Sequence, residues 1–132
     1  MKKLMEETLT QKLYWDEHEE IVVGELNFEV QTLQSAIENI DAQDKIRKTL
    51  GKEMTRVLID MRDIKSITRE AREYYANERT CSIQRATALV VKSKVTKVMA
   101  NFFMGLNKPI TPAKMFTDMQ EARKWLHTFS NV

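Results

Sequence analysis

The apolar positions of this 132-residue chain change period several times. Leu13-Tyr14-Trp15 and Ile21-Val22-Val23 are two β-rich stretches separated by the charged run Asp16-Glu17-His18-Glu19-Glu20. That spacing predicts an antiparallel hairpin whose acidic turn is solvated. From Phe28 to about Lys48 the period becomes helical: Leu33, Ala36, Ile37 and Ile40 recur on one side with charged residues opposite, and Gly51 follows as a stop. Val57-Leu58-Ile59-Asp60-Met61 is an apolar run without alternation, the pattern of a strand buried on both faces. Thr68 is placed to cap a helix through Tyr74, Tyr75 and Ala76 to about Arg79, and Ala86-Thr87-Ala88-Leu89-Val90-Val91 is a second buried strand.

Ser93 is expected to open a third helix with Val95, Val98, Met99, Phe102, Phe103 and Leu106 as its apolar stripe. Asn107-Lys108-Pro109 ends it, because the residue before a proline avoids the helical region. Lys114-Met115-Phe116 is a short strand, and Asp118 with Glu121 forms a capping box that opens a last helix carrying Ala122, Trp125, Leu126 and Phe129. The order is ββα followed by three βα units. It predicts one α/β domain over residues 1–132, with a mostly parallel sheet of about five strands, an antiparallel strand from the N-terminal hairpin at one edge, and helices packed on the sheet.

Composition agrees with an ordinary globular domain, 42% apolar and 30% charged. The net charge is only +2, but residues 1–56 hold 8 basic and 12 acidic side chains, and residues 57–132 hold 13 and 7. The second half carries no dense basic tract interleaved with aromatics, so nucleic-acid binding is not indicated. Cys81 is the single cysteine and forms no internal disulfide, which fits a reducing compartment. The N-terminal lysines are followed by no apolar segment of signal-peptide type, and every apolar run is far shorter than the ~20 residues that span a bilayer. The expectation is a soluble, cytoplasmic protein.

Catalytic constellations are sparse. His18 and His127 stand alone, without ligand-like spacing to another His or Cys, and read as surface residues. Cys81 falls near the end of a predicted helix, an unfavourable place for a thiolate, and Asp60 most simply caps the turn after its strand. Gly24, Gly51 and Gly105 are too far apart for a phosphate loop. No cofactor, no metal and no enzymatic activity are expected. Two features are binding candidates. Lys92, Ser93, Lys94 and Lys97 surround a predicted helix start, where free N–H groups and the helix dipole favour an anion. Met99, Phe102, Phe103 and Met104 make an apolar arc too wide for one stripe, since consecutive residues such as Phe102 and Phe103 point about 100° apart. Core packing, a ligand cavity and a dimer contact are the three uses open to that arc.

At this point the chain resembles a known group. Val57-Leu58-Ile59-Asp60-Met61-Arg62-Asp63-Ile64 is similar to the central strand and following turn of STAS domains. Arg85–Val91, Asn107-Lys108-Pro109, Met115-Phe116-Thr117-Asp118 and Glu121-Ala122-Arg123-Lys124-Trp125-Leu126 together resemble the SpoIIAA-like proteins, small bacterial domains of STAS/SEC14 type. In regulatory STAS domains a serine at the start of the next helix is phosphorylated. Aligning Asp60 with the strand-ending Asp of that family puts Thr68 where an Asp precedes the serine, and Arg69 at the serine itself, so the matching switch position is not phosphorylatable. The resemblance implies a SpoIIAA-like fold and a non-enzymatic regulatory or interaction module that acts through protein contacts, as a homodimer. Its SEC14 side implies the alternative, a carrier or sensor of a lipid or another apolar small molecule.

Overall fold

The computed structural model describes residues 2–27, 30–92 and 111–130. Six strands form one sheet: β1 (Lys2–Glu7), β2 (Gln11–Asp16), β3 (Ile21–Leu26), β5 (Thr55–Asp60), β7 (Gln84–Val90) and β8 (Ala113–Phe116), hydrogen-bonded in that order. A two-residue parallel pair, β4 (Val30–Gln31) with β6 (Ser66–Ile67), sits apart. β2 runs antiparallel to both of its neighbours, β1 and β3, and β3, β5, β7 and β8 are parallel. The α/β class, the N-terminal hairpin and the parallel remainder are as the sequence pattern predicts. β1 is an addition, a charged edge strand that the pattern does not mark.

The long runs bury as their lack of alternation requires. In β5, Val57 and Ile59 enter one apolar cluster while Leu58 enters another on the opposite face; in β7, Leu89 takes the first face and Ala86, Ala88 and Val90 the second. The parallel strands add in one direction without reversal. Right-handed crossovers then put the intervening helices on one face. These are α1 (Leu33–Leu50), α2 (Arg69–Tyr75) and α3 (Glu78–Ile83), whose buried side chains include Ala36, Ile46 and Ala71. α4 (Met119–Leu126) covers the other face with Ala122 and Leu126, flanked by Trp125 and Phe129. The alanines of β7 let α4 come close.

Local chemistry sets the helix limits. Thr32 caps α1 and exchanges bonds with Ser35, while Gly51 closes it at φ 68°, a left-handed conformation that costs glycine little. Thr68 Oγ1 accepts the Ala71 N–H at 3.2 Å to start α2. The helix expected to run on to about Arg79 instead stops at Tyr75, because Asn77 caps a new helix by accepting the Thr80 N–H at 2.9 Å. Asp118 caps α4 through the Gln120 N–H at 2.7 Å.

Two expectations need correction. The face that α1 turns inward holds Ser35, Asn39 and Gln43 beside Ala36, Ile40 and Ile46, whereas Leu33 faces solvent. The acidic run is not simply a solvated turn either. Asp16 and Glu19 both bond the Arg123 guanidinium, and Arg56 donates to the Glu19, Glu20 and Phe129 carbonyls at 2.8, 3.3 and 3.1 Å. No helix of the described residues is long and apolar enough to cross a membrane.

Candidate functional site

Between the sheet and helices α1–α3 lies a cavity of about 70 Å³ with two kinds of wall. Leu26, Ile59, Met61, Ile67 and Leu89 make the apolar part, and Gln11, Gln43, Gln84, Tyr75 and Thr111 the polar part. Gln84 donates to Gln43 Oε1 at 2.9 Å and accepts from the Thr87 hydroxyl at 2.8 Å. Gln11 lies over Gly24 in this wall; a Cβ at Gly24 would come within 2.5 Å of Gln11 Nε2 and 2.8 Å of Ile59 Cδ1, so a larger residue there would push the ends of both side chains aside. Gln11 Oε1 is buried without a hydrogen-bond partner among the described residues. An orphaned buried acceptor costs about 1–3 kcal/mol.

A second polar network ties the β1–β2 turn to the helices. Fully buried Asn39 donates to Thr10 Oγ1 (3.0 Å), Tyr75 Oη (3.1 Å) and Gln31 Oε1 (3.2 Å), and its Oδ1 accepts from Thr8 Oγ1 at 2.6 Å. The Tyr75 hydroxyl donates to Gln31 Oε1 at 2.8 Å, and burial pushes its pKa up to about 12, so it stays a donor. Asn39 thus ties the Thr8 and Thr10 side chains of the turn to α1.

What that network holds in place is apolar and exposed. Leu9, at the tip of the turn, is 73% exposed; Val30 of β4 is 43% and Leu33 at the start of α1 is 42% exposed. Leu9 and Val30 line a groove of about 140 Å³ with Thr32, Ser35 and Glu38. Of the four large apolar side chains exposed among the described residues, Leu9 and Val30 line this groove, and Leu33 follows Thr32 of its wall in the chain; these three are its rim. It lies beyond the C-terminal ends of β3 and β5, where open α/β sheets place their sites. No spacing rule joins Leu9 to Val30 and Leu33, so sequence reasoning does not single out the rim.

The residues singled out from sequence are scattered. Lys92 is exposed just after β7. Ser93, Lys94, Lys97, Met99, Phe102, Phe103 and Met104 lie outside the described residues. Thr68 caps α2, and Arg69 is exposed and pairs with Glu73 at 2.9 Å. Asp60 holds the turn after β5: its Oδ1 accepts the Arg62 N–H at 3.1 Å, and both its oxygens take the Arg62 guanidinium. Burial pushes the Asp60 carboxyl up, but these bonds outweigh it and leave its pKa below the ordinary value. Cys81 is buried within α3 rather than at a helix end, its thiol 3.7 Å from the Ala76 carbonyl. His18 is exposed, and His127 Nε2 lies 3.5 Å from Glu19. No group of three His, Cys, Asp or Glu side chains among the described residues is placed to hold a metal ion.

Comparison with known proteins agrees with this architecture. The chain superposes on the crystal structure of an uncharacterized protein of the DUF3478 family from Shewanella loihica PV-4, which has a SpoIIAA-like fold. The TM-score is 0.61 at 13% identity, over 92% of this chain and 98% of the other. At that identity the likeness establishes the fold. No curated protein matches the sequence. The family model of a domain of unknown function, DUF7793, matches residues 14–130, and the chain belongs to that family.

Proposed function

We propose that this protein is a non-enzymatic interaction module whose docking surface is the rim of Leu9, Val30 and Leu33. The carrying observation is that Leu9 stands in solvent on a turn whose flanking Thr8 and Thr10 side chains are held from behind by Asn39, with Val30 exposed across the groove. Exposed apolar side chains on a held turn favour docking, because little conformational entropy remains to be lost on binding. A protein partner would bury Leu9 most and meet Thr32, Ser35 and Glu38 at the groove's polar side. The SpoIIAA-like fold is compatible with such a role and does not by itself assign it.

A photo-reactive residue at position 9 tests the proposal in protein expressed in its own host. One partner should be captured from position 9, lost when Val30→Asp is added, and missing from position 128, at the other end of the sheet. Equal capture from positions 9 and 128, or capture insensitive to Val30→Asp, would overturn it.

The cavity carries the second reading, a sensor of a small molecule. Its favouring observation is Gln11 Oε1, a buried acceptor left open for a ligand's N–H or O–H. The cavity is well below the ~300 Å³ at which drug-sized ligand sites begin. As formed by the described residues it suits a small polar group with a short apolar body rather than a lipid chain.

A further inference from the structure

The outer edge of the sheet points to a second copy of this chain. Among the described residues β1 is the last strand on its side, with Lys2, Lys3, Leu4 and Glu7 exposed and Met5 and Glu6 half-buried. Its sequence, Lys-Lys-Leu-Met-Glu-Glu, is two cations, two apolar residues and two anions. Turned antiparallel on itself, such a strand sets each lysine against a glutamate and brings Leu4 and Met5 to the axis. A lysine on an edge usually discourages pairing. Here the charge order reverses that effect, since the antiparallel copy presents carboxylates to the ammonium groups.

Register is the harder requirement. Residues opposed across an antiparallel pair must share a face of the sheet, and a two-fold axis normal to the sheet preserves faces. In an uninterrupted strand Lys2 and Glu7 would fall on opposite faces, as would Lys3 and Glu6. β1 is interrupted. A bulge between Leu4 and Glu6 inserts one residue, so that Lys2 opposes Asp16 while Glu7 opposes Lys12, and Lys3 opposes Trp15 while Glu6 opposes Leu13. Along unbroken β2, Asp16 and Lys12 share one face, and Trp15 and Leu13 the other. The bulge therefore puts Lys2 with Glu7, and Lys3 with Glu6, on matching faces. Intrachain contacts anchor one charge on each face: Lys2 Nζ is 3.2 Å from Glu25 and 4.4 Å from the centre of the Tyr14 ring, and Glu6 is 3.6 Å from Lys45.

We infer that two copies of this chain pair through β1 in an antiparallel, two-fold arrangement, with Lys2 against the second copy's Glu7 and Lys3 against its Glu6, forming one continuous sheet. The inference rests on the edge strand alone and is independent of the rim and its partner. Six residues make a small interface, so association should be weak and concentration-dependent, with a Kd on the order of 10 µM or above.

Sedimentation equilibrium across a concentration series is the test. Wild-type protein should dimerise. Lys2→Glu with Lys3→Glu, and separately Glu6→Lys with Glu7→Lys, should each weaken self-association at least about tenfold, since like charges then oppose across the axis. An equimolar mixture of the two variants should associate as the wild type does, because acid again meets base at every pair. A monomeric wild type, variants that dimerise unchanged, or a mixture that stays monomeric would overturn the proposal. Should a variant fail to fold, amide exchange of the wild type reads the same contact without substitution: protection within residues 3–7 must rise with protein concentration, and protection independent of concentration counts against it.

Discussion

The two faces of the sheet are built from the same strands and differ in kind. Beneath α4, Ile21, Val23, Leu58, Ala86, Ala88 and Val90 meet Ala122 and Leu126 in a cluster that is apolar throughout its described residues. Beneath α1–α3, Val57, Ile59 and Leu89 share their space with Gln11, Gln31, Asn39, Gln43 and Gln84, all buried. The apolar face holds by area, which is strong and indifferent to direction. The amide-bearing face also buries a large apolar cluster, adds hydrogen bonds that work only in one geometry, and leaves two polar atoms, Gln11 Oε1 and Gln31 Nε2, without partners among the described residues. The face that carries the amides is the one that positions the rim and lines the cavity.

Truncation at the apolar face should give the largest effect. Leu126 is fully buried, so Leu126→Ala should cost about 2–5 kcal/mol, read from chemical denaturation. A loss below about 1 kcal/mol would mean that α4 is a loose cover rather than half of the core.

The amide face should respond with either sign, depending on which amide is removed. Asn39→Leu removes one bond each from Thr8, Thr10 and Tyr75 and should cost about 2 kcal/mol, with faster amide exchange across residues 8–10. Gln11→Met keeps the shape and removes an unpartnered acceptor, so it should be neutral or stabilise by up to about 1 kcal/mol. Equal losses for the two variants would erase the distinction between bonded and orphaned amides.

The smallest effect belongs to the clasp at the margin of the apolar face. Burial raises the pKa of Asp16, but the Glu19 N–H and the Arg123 guanidinium together bring it below the ordinary value. A carboxyl whose pKa is lower folded than unfolded stabilises above its unfolded pKa, and that stabilisation is lost as pH falls through the folded value. Asp16→Asn should therefore cost about 1 kcal/mol at neutral pH, and the gap from wild type should close below roughly pH 4. A gap unchanged down to low pH would assign the loss to packing.

Much of this architecture is legible in the sequence because it rests on local or strictly periodic signals. Val57–Ile59 and Ala86–Val90 are buried on both sides, Gly51 ends α1, and Thr68 and Asp118 cap as their types suggest. β1 escapes notice because four of its six residues are charged and its bulge breaks the alternation that marks a strand. The inner face of α1 is misread at Leu33 because periodicity counts apolar residues as buried, and it cannot foresee that Asn39 and Gln43 find partners inside. The rim escapes for a related reason: Leu9 is a lone apolar residue between two threonines, and only the fold brings it beside Val30. The lysine and methionine-phenylalanine candidates from Ser93 to Met104 lie outside the described residues, so the structure does not place them.

The position of the Arg56 clasp has a practical consequence for handling the molecule. Arg56 holds the Phe129 carbonyl and the turn at Glu19 and Glu20, and Lys2 pairs with Asp16 beside that same turn. Both described ends of the chain thus leave from the end of the sheet opposite the rim. A reporter domain joined at either end would leave Leu9, Val30 and Leu33 uncovered. One joined before Lys2 would crowd the outer strand, whereas one joined after Phe129 would stand behind the central strands and leave both surfaces open. Comparing the two fusions separates self-association from partner capture without altering a single side chain.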